Sequence, residues 1–267
     1  MNGAPTRRLI TIPISHFCEK ARWALERAGL DYREERHVQG VHILVARRAG
    51  GGETVPVLIA REGVFKESAQ ILAYADEALP EEARLFPADP ELRTEVESVS
   101  RWLDEGLGPD GRRLMYAHML GQRSLMQKVN LQGVPAWERR VMSTLWPLAV
   151  RIGKRRLAIT TTSPDADETS VFRTFDAIAE RLADGRRYLC GDRFTAADLT
   201  FAALSAAVVV PSDYGVALPQ PDILPEHIAR PVRAFRAHPA GEFALRLIRE
   251  ERRKPAQHMM EPDDARA

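Results

Sequence analysis

Two cysteines in 267 residues, Cys18 and Cys190, are too few and too far apart to suggest a disulfide framework or a zinc cluster. Charge of one sign is also lacking. The 38 basic residues stand against 37 acidic ones, a formal net charge of +1. That balance removes the general electrostatic ground for expecting nucleic acid or an anionic membrane as partner. Lysine is scarce beside arginine, a bias that reads as coding preference and not as a phosphate-binding device. Long apolar runs are missing too. The longest, "FAALSAAVVVP" from Phe201 to Pro211, is too short to cross a bilayer, so no stable membrane insertion is expected. The opening "MNGAPTRRLITIPI" is basic but has neither a long apolar core nor a small-residue cleavage site, so no signal peptide is expected. What remains is the expectation of a soluble protein in a reducing, cytoplasmic setting. Its 45% apolar and 28% charged residues suit a globular chain long enough for one large domain or two smaller ones.

The first part of the chain alternates element types. "RRLITIPI" (Arg7 to Ile14) is β-branched and reads as a strand. The next segment puts Phe17, Ala21, Ala24 and Ala28 on one helical face and ends at Gly29. "DYREERHV" reads as a second strand, and a short helical or irregular patch follows around "HILVARRAG". "TVPVLIA" (Thr54 to Ala60) reads as a third strand, and a turn at Glu62-Gly63 leads to "VFKES". "SAQILAYADEAL" reads as a helix capped by Ser68. The order is β-α-β-α-β-β-α. The proline-rich "LPEEARLFPADP" reads as a linker, and beyond it only helical periodicity is found.

Four local features carry a resemblance. "SHFC" (residues 15–18) falls at the first strand-to-helix turn, "TVPVL" opens the third strand, "KESAQIL" opens the third helix, and "YLCGDRFTAADLTFAAL" lies in the helical part. In this order they resemble the cytosolic glutathione transferases. The implied fold is an α/β thioredoxin-like N-terminal domain followed by an all-α C-terminal domain, with boundaries at 1–84 and 90–252 and a disordered tail at 253–267.

The resemblance implies site residues. Ser15, at the positive end of a helix, takes the place of the residue that hydrogen-bonds the glutathione sulfur and favours its thiolate. Val55 precedes a proline, Pro56, whose peptide bond would be cis, and its exposed backbone edge would pair with the extended tripeptide. Glu67 would meet the α-ammonium group and Ser68 the γ-glutamyl carboxylate. Trp102, Met115, Tyr116 and Met119 are candidates for the electrophile pocket, and equally for the core. The implied activity is conjugation or reduction of small electrophiles with glutathione as cosubstrate, a detoxifying role, with no metal. The implied partner is a second copy, as a homodimer. Two alternatives stand beside it: a non-catalytic binding or scaffold protein, and a thiol oxidoreductase using Cys18. The second is weakened because Ser15 occupies the first position of a Cys-x-x-Cys, and Cys18 reads better as a small buried residue.

Other readings are structural. Ser15 is also a plausible plain N-cap, and His16 is expected to be exposed without a role. In "FTAADL", Thr195 and Asp198 have capping-box spacing, with Phe194 and Leu199 as a hydrophobic staple. The chain also departs from the family pattern. "GGGET" stands where a basic residue for the glycine carboxylate is usual, and His42, Arg47 and Arg48 are the possible substitutes. Residues 121–170 look enlarged. Within them the Trp146 to Arg156 stretch reads as a packed core helix with a solvated arginine face, or else as an interface for a partner or membrane surface. "TTTSPDADETS" reads as a loop.

Overall fold

The structure is a computed structural model and describes residues 7–160 and 163–252. The tail expected over 253–267 lies outside them. Four strands form one mixed sheet in the order β2-β1-β3-β4: β1 (Arg8–Thr11), β2 (Arg33–Arg36), β3 (Val57–Ala60) and β4 (Gly63–Phe65). β1 pairs parallel with β2 and antiparallel with β3, and β3 pairs antiparallel with β4. Side-chain alternation divides the sheet into two faces. Leu9 and its register partner Leu58 join the main core with α1 (His16–Arg27) and α3 (Ser68–Glu77). Ile10 and its partner Val57 pack on the other face against Ala46 of α2 (Val41–Arg48). The expected β-α-β-α-β-β-α order is therefore observed.

The remainder is helical: α4 (Pro90–Glu105), α5 (Leu107–Met119), α6 (Arg123–Asn130), α7 (Ala136–Thr144), α8 (Trp146–Arg156), α9 (Ser163–Arg181), α10 (Ala196–Val209), α11 (Glu226–Ala237) and α12 (Pro239–Glu251). α10 is the central rod. Nearly all of it is buried, and α1, α4, α5, α11 and α12 pack around it.

Three expectations need correction. "TTTSPDADETS" is not a loop throughout, because from Ser163 it is the start of α9. Asp167 there pairs with Arg113 at 2.8 Å and Ser170 donates to Asp110 at 2.5 Å, so polar residues that looked solvated bind α9 to α5. His16 is buried, not exposed, because α5 closes over the first turn of α1. Its Nε2 lies 3.0 Å from the Gly108 carbonyl. Burial foremost, then Arg112, lowers its pKa to about 3, so the ring is neutral and donates to that carbonyl. Finally, α8 is no core helix, since none of its residues is fully buried.

α1 also buries charged side chains. Glu19, Lys20 and Arg22 are all buried. Lys20 meets Asp104 of α4 at 2.7 Å, and Arg22 meets Glu34 at 2.7 Å and Glu19 at 3.1 Å. Arg252 closes the group on Glu19 at 2.8 Å. Breaking one partner of such a group leaves an uncompensated buried charge, typically at about 3–5 kcal/mol.

Candidate functional site

Topology gathers the site. β1 runs toward one end of the sheet and α1 starts there. β3 is antiparallel to β1, so it starts at that same end. β4 runs back to it, and α3 starts there. The N-terminus of α1, the segment before β3 and the N-terminus of α3 therefore share one end of the sheet, with two helix dipoles presenting their positive ends.

Ser15 is the N-cap of α1, with φ −68° and ψ 121°, and is half-buried. Its Oγ accepts from the Cys18 N–H at 3.3 Å, a long bond for a cap. The turn that presents it is firmly held. Arg22 donates to the carbonyls of Ile12 at 3.4 Å and Pro13 at 3.2 Å, and Tyr214 donates to that of Ile14 at 2.8 Å. Burial would raise the Glu34 carboxyl behind Arg22, but Arg22 and Arg36 outweigh it and hold it at about 2. Cys18 is fully buried, and burial raises its thiol even though Arg22 and Ser15 oppose the shift. A protonated, enclosed thiol is a poor nucleophile.

The Val55–Pro56 bond is cis, and Val55 packs beside Ile12 and Ile14. At α3 the cap position belongs to Glu67, with φ −129° and ψ 148°, and Ser68 is the first helical residue, buried. Ser68 is thus not the N-cap that its residue type suggested, because the extended backbone ends one residue earlier. Glu67 is exposed and makes no side-chain cap bond, which leaves the α3 N–H groups without a capping side chain.

Of the four pocket candidates, two line one cavity. Met115 and Met119 join Ile14, Tyr214, Leu218 and Ile228 around an apolar space of about 60 Å³ that begins beside the residue preceding Ser15. Tyr116 does not line it but packs on the same apolar cluster, and its Oη accepts from Gln39 Nε2 at 2.9 Å. Trp102 stands exposed on α4. Sequence reasoning missed Tyr214, which sits in an aperiodic Pro- and Gly-containing stretch with no signal to find it.

The segment before the cis bond carries Glu53, not a cation. Arg47 pairs with Glu53, and Arg156 of α8 approaches it at 3.6 Å. His42 is buried and accepts from the Gly40 N–H at 3.1 Å, and burial lowers its pKa, so it is no ready cation. Arg48 is exposed on α2. The enlarged helices brace this side of the sheet. Glu138 of α7 is fully buried, accepts from the Val38 N–H at 2.9 Å and lies 2.6 Å from His37 Nδ1. Met142 and Val134 pack on Val38.

A family model described as the glutathione S-transferase N-terminal domain matches residues 9–83, and one described as the C-terminal domain matches residues 164–227. No curated protein sequence gives a significant match. Among solved structures, a glutathione S-transferase from Xanthobacter autotrophicus Py2 is 18% identical with a TM-score of 0.58, over 92% of this chain and 95% of that one. The beta-etherase LigF from Sphingobium sp. strain SYK-6 is 19% identical with a TM-score of 0.57, over 90% and 99%. A rice glutathione S-transferase in complex with glutathione is 17% identical with a TM-score of 0.55, over 93% and 90%. At these identities the structural likeness speaks for the fold alone. The two family matches, in order along the chain, say more: the chain belongs to the glutathione S-transferase family.

Proposed function

We propose that the protein is a glutathione transferase in which Ser15 donates a hydrogen bond to the glutathione sulfur and favours its thiolate, which then attacks a small electrophile. One observation carries this: the Ser15 turn, the cis Val55–Pro56 edge and the uncapped start of α3 meet at one end of the sheet. In this assignment Val55 pairs with the tripeptide backbone and Pro56 sets the edge. Ser68 and the α3 N–H groups take the γ-glutamyl carboxylate, and Glu67 takes the α-ammonium group. Glutathione bound to the rice relative supports the ligand class. The glycine end fits less well, since Glu53 stands there with Arg47 and Arg156 upon it. The electrophile's apolar part occupies the cavity at Met115 and Met119, whose small volume suits a small group. Residues 1–84 form the glutathione-binding unit and 90–252 the helical one. The assignment brings with it a homodimer, a cytoplasmic setting and a detoxifying role, of which light scattering checks the first.

The test is the thiol pKa of bound glutathione, read from thiolate absorbance. Ser15→Ala is expected to raise it by about one to two units, since a hydrogen bond to a charged group contributes roughly 1.5–3 kcal/mol. Equal values in both proteins, each saturated with glutathione, reduce Ser15 to a cap and favour a non-catalytic binding protein.

A further inference from the structure

α7 and α8 turn an apolar stripe outward. Trp137, Val141, Leu145, Leu148 and Ile152 recur every three or four residues, and each is between 42% and 55% exposed. Helical hydrogen bonds continue through the junction. The Leu145 N–H donates to the Val141 carbonyl and the Ala149 N–H to that of Leu145, both at 2.9 Å, so one helical period runs across both helices. The inward side is a different set. Glu138 and Met142 are buried, and Trp146 and Val150 pack on the cluster that contains Ile14 and Met119 of the cavity wall. The stripe is the face turned away from the core.

Cations border it. Arg140, Arg151, Arg155 and Arg156 are all exposed and fall within or beside the stripe at helical spacing, and Arg140, Arg151 and Arg155 form no ion pair among the described residues. The one acidic residue from 136 to 156, Glu138, is buried and committed to His37 and Val38. A chain with a net charge of only +1 thus concentrates positive charge on one apolar face. This face also lies outside both family matches, which leave residues 84–163 uncovered.

Charge selects the occupant. A two-fold contact of this face with itself would oppose four cations to four. Nucleic acid would answer the cations and leave five apolar side chains against water. An anionic bilayer answers both, taking the apolar stripe into its headgroup–acyl boundary and the cations onto its phosphates. Among the described residues no helix is long and apolar enough to cross a membrane, so the contact lies on the surface. We propose that the α7–α8 face docks the protein on an anionic lipid surface.

The experiment sediments the full chain with vesicles of phosphatidylcholine alone and of phosphatidylcholine with phosphatidylglycerol. Binding is expected to the anionic vesicles and to weaken as salt is raised. The double variant Arg151→Gln/Arg155→Gln is expected to lose about 30-fold in vesicle affinity, at roughly one kcal/mol per cation. Leu148→Gln/Ile152→Gln is expected to lose at least about tenfold by removing apolar contact. These side chains are exposed, so unchanged unfolding midpoints certify the variants. Absent binding, equal binding to both vesicles, or variants that bind like wild type overturn the proposal. Self-association abolished by Leu148→Gln/Ile152→Gln, without vesicle binding, overturns it in favour of a contact between copies. Binding to an acidic protein without vesicle binding overturns it as well.

Discussion

Among the described residues, α1 and α10 each have a hydroxyl residue at the N-cap, and they begin differently. At α10 the start is closed. Thr195 and Asp198 form a capping box in which the Asp198 carboxylate accepts from the Thr195 N–H and hydroxyl, both at 2.9 Å, and from the Leu189 N–H at 2.8 Å. Thr195 and Asp198 are completely buried, and Phe194 and Leu199 at the staple positions join the main core. At α1 the start is open. Ser15 is half-buried, caps through one 3.3 Å bond and has no acidic partner at the third helical residue, which is Cys18. A helix start that serves folding alone satisfies its own donors. One that leaves donors and a hydroxyl facing outward has chemistry to spare for a ligand.

The largest expected effect tests the closed start. Asp198→Ala strips the acceptor from two buried N–H groups and a buried hydroxyl. With about 1–3 kcal/mol for each unsatisfied buried group, the loss is on the order of 3 kcal/mol after relaxation. Denaturant unfolding measures it, and turnover per folded molecule should stay unchanged. A loss under about 1 kcal/mol would put α10's anchorage in its packing instead of its box.

A smaller effect comes from the same carboxyl through pH. Burial raises the Asp198 pKa from its ordinary 3.8 to about 6, against the opposing pull of the Leu189 and Thr195 N–H donors. The sign follows from proton counting. Between about pH 4 and 6 the unfolded chain has released this proton and the folded chain keeps it, so stability falls as pH rises through that window and stays lower above it. The expected span is at most about 3 kcal/mol. Glu26 and Asp76 are also raised by burial. The diagnostic is therefore the difference between wild type and Asp198→Asn: the slope from pH 4 to 6 should be shallower in the variant. Parallel curves would mean that Asp198 ionises in the fold at its usual pH.

These two starts were not equally legible in sequence. The capping box is a local pattern, complete within four residues, and it sits in the structure where its spacing put it. The alternation of Leu9/Ile10 and Val57/Leu58 likewise shows a sheet covered on both faces. Local patterns fail where the partner is distant. Nothing near Glu19, Lys20 and Arg22 in sequence marks them for burial, and only their partners Asp104, Glu34 and Arg252 explain it. His16 is hidden by Gly108, ninety-two residues on. There the approach is close, since an added Cβ would lie 2.3 Å from the Phe17 ring, which would have to shift. Before the cis bond, Glu53 is met by Arg156 of α8 from across the fold, a contact that no spacing encodes.

The smallest expected effect on stability is the sharpest test of the open start. Ser15→Asn keeps the capping function, because asparagine caps about as well as serine, and its amide oxygen can accept from the Cys18 N–H. The existing bond is long at 3.3 Å, a geometry that the asparagine amide oxygen can match. The unfolding free energy should move by no more than about 0.5 kcal/mol. Ser15→Ala, which has no acceptor, should fall below it by about 0.5–2 kcal/mol. Activity should separate from this order. In the proposed assignment asparagine would place a bulkier amide where the hydroxyl would meet the glutathione sulfur, so both variants should lose turnover with an aryl halide electrophile while only alanine loses the cap. Paired unfolding curves and kcat/KM values decide it. If asparagine restores both stability and turnover, Ser15 is a cap like Thr195, and the difference between the two helix starts is one of burial alone.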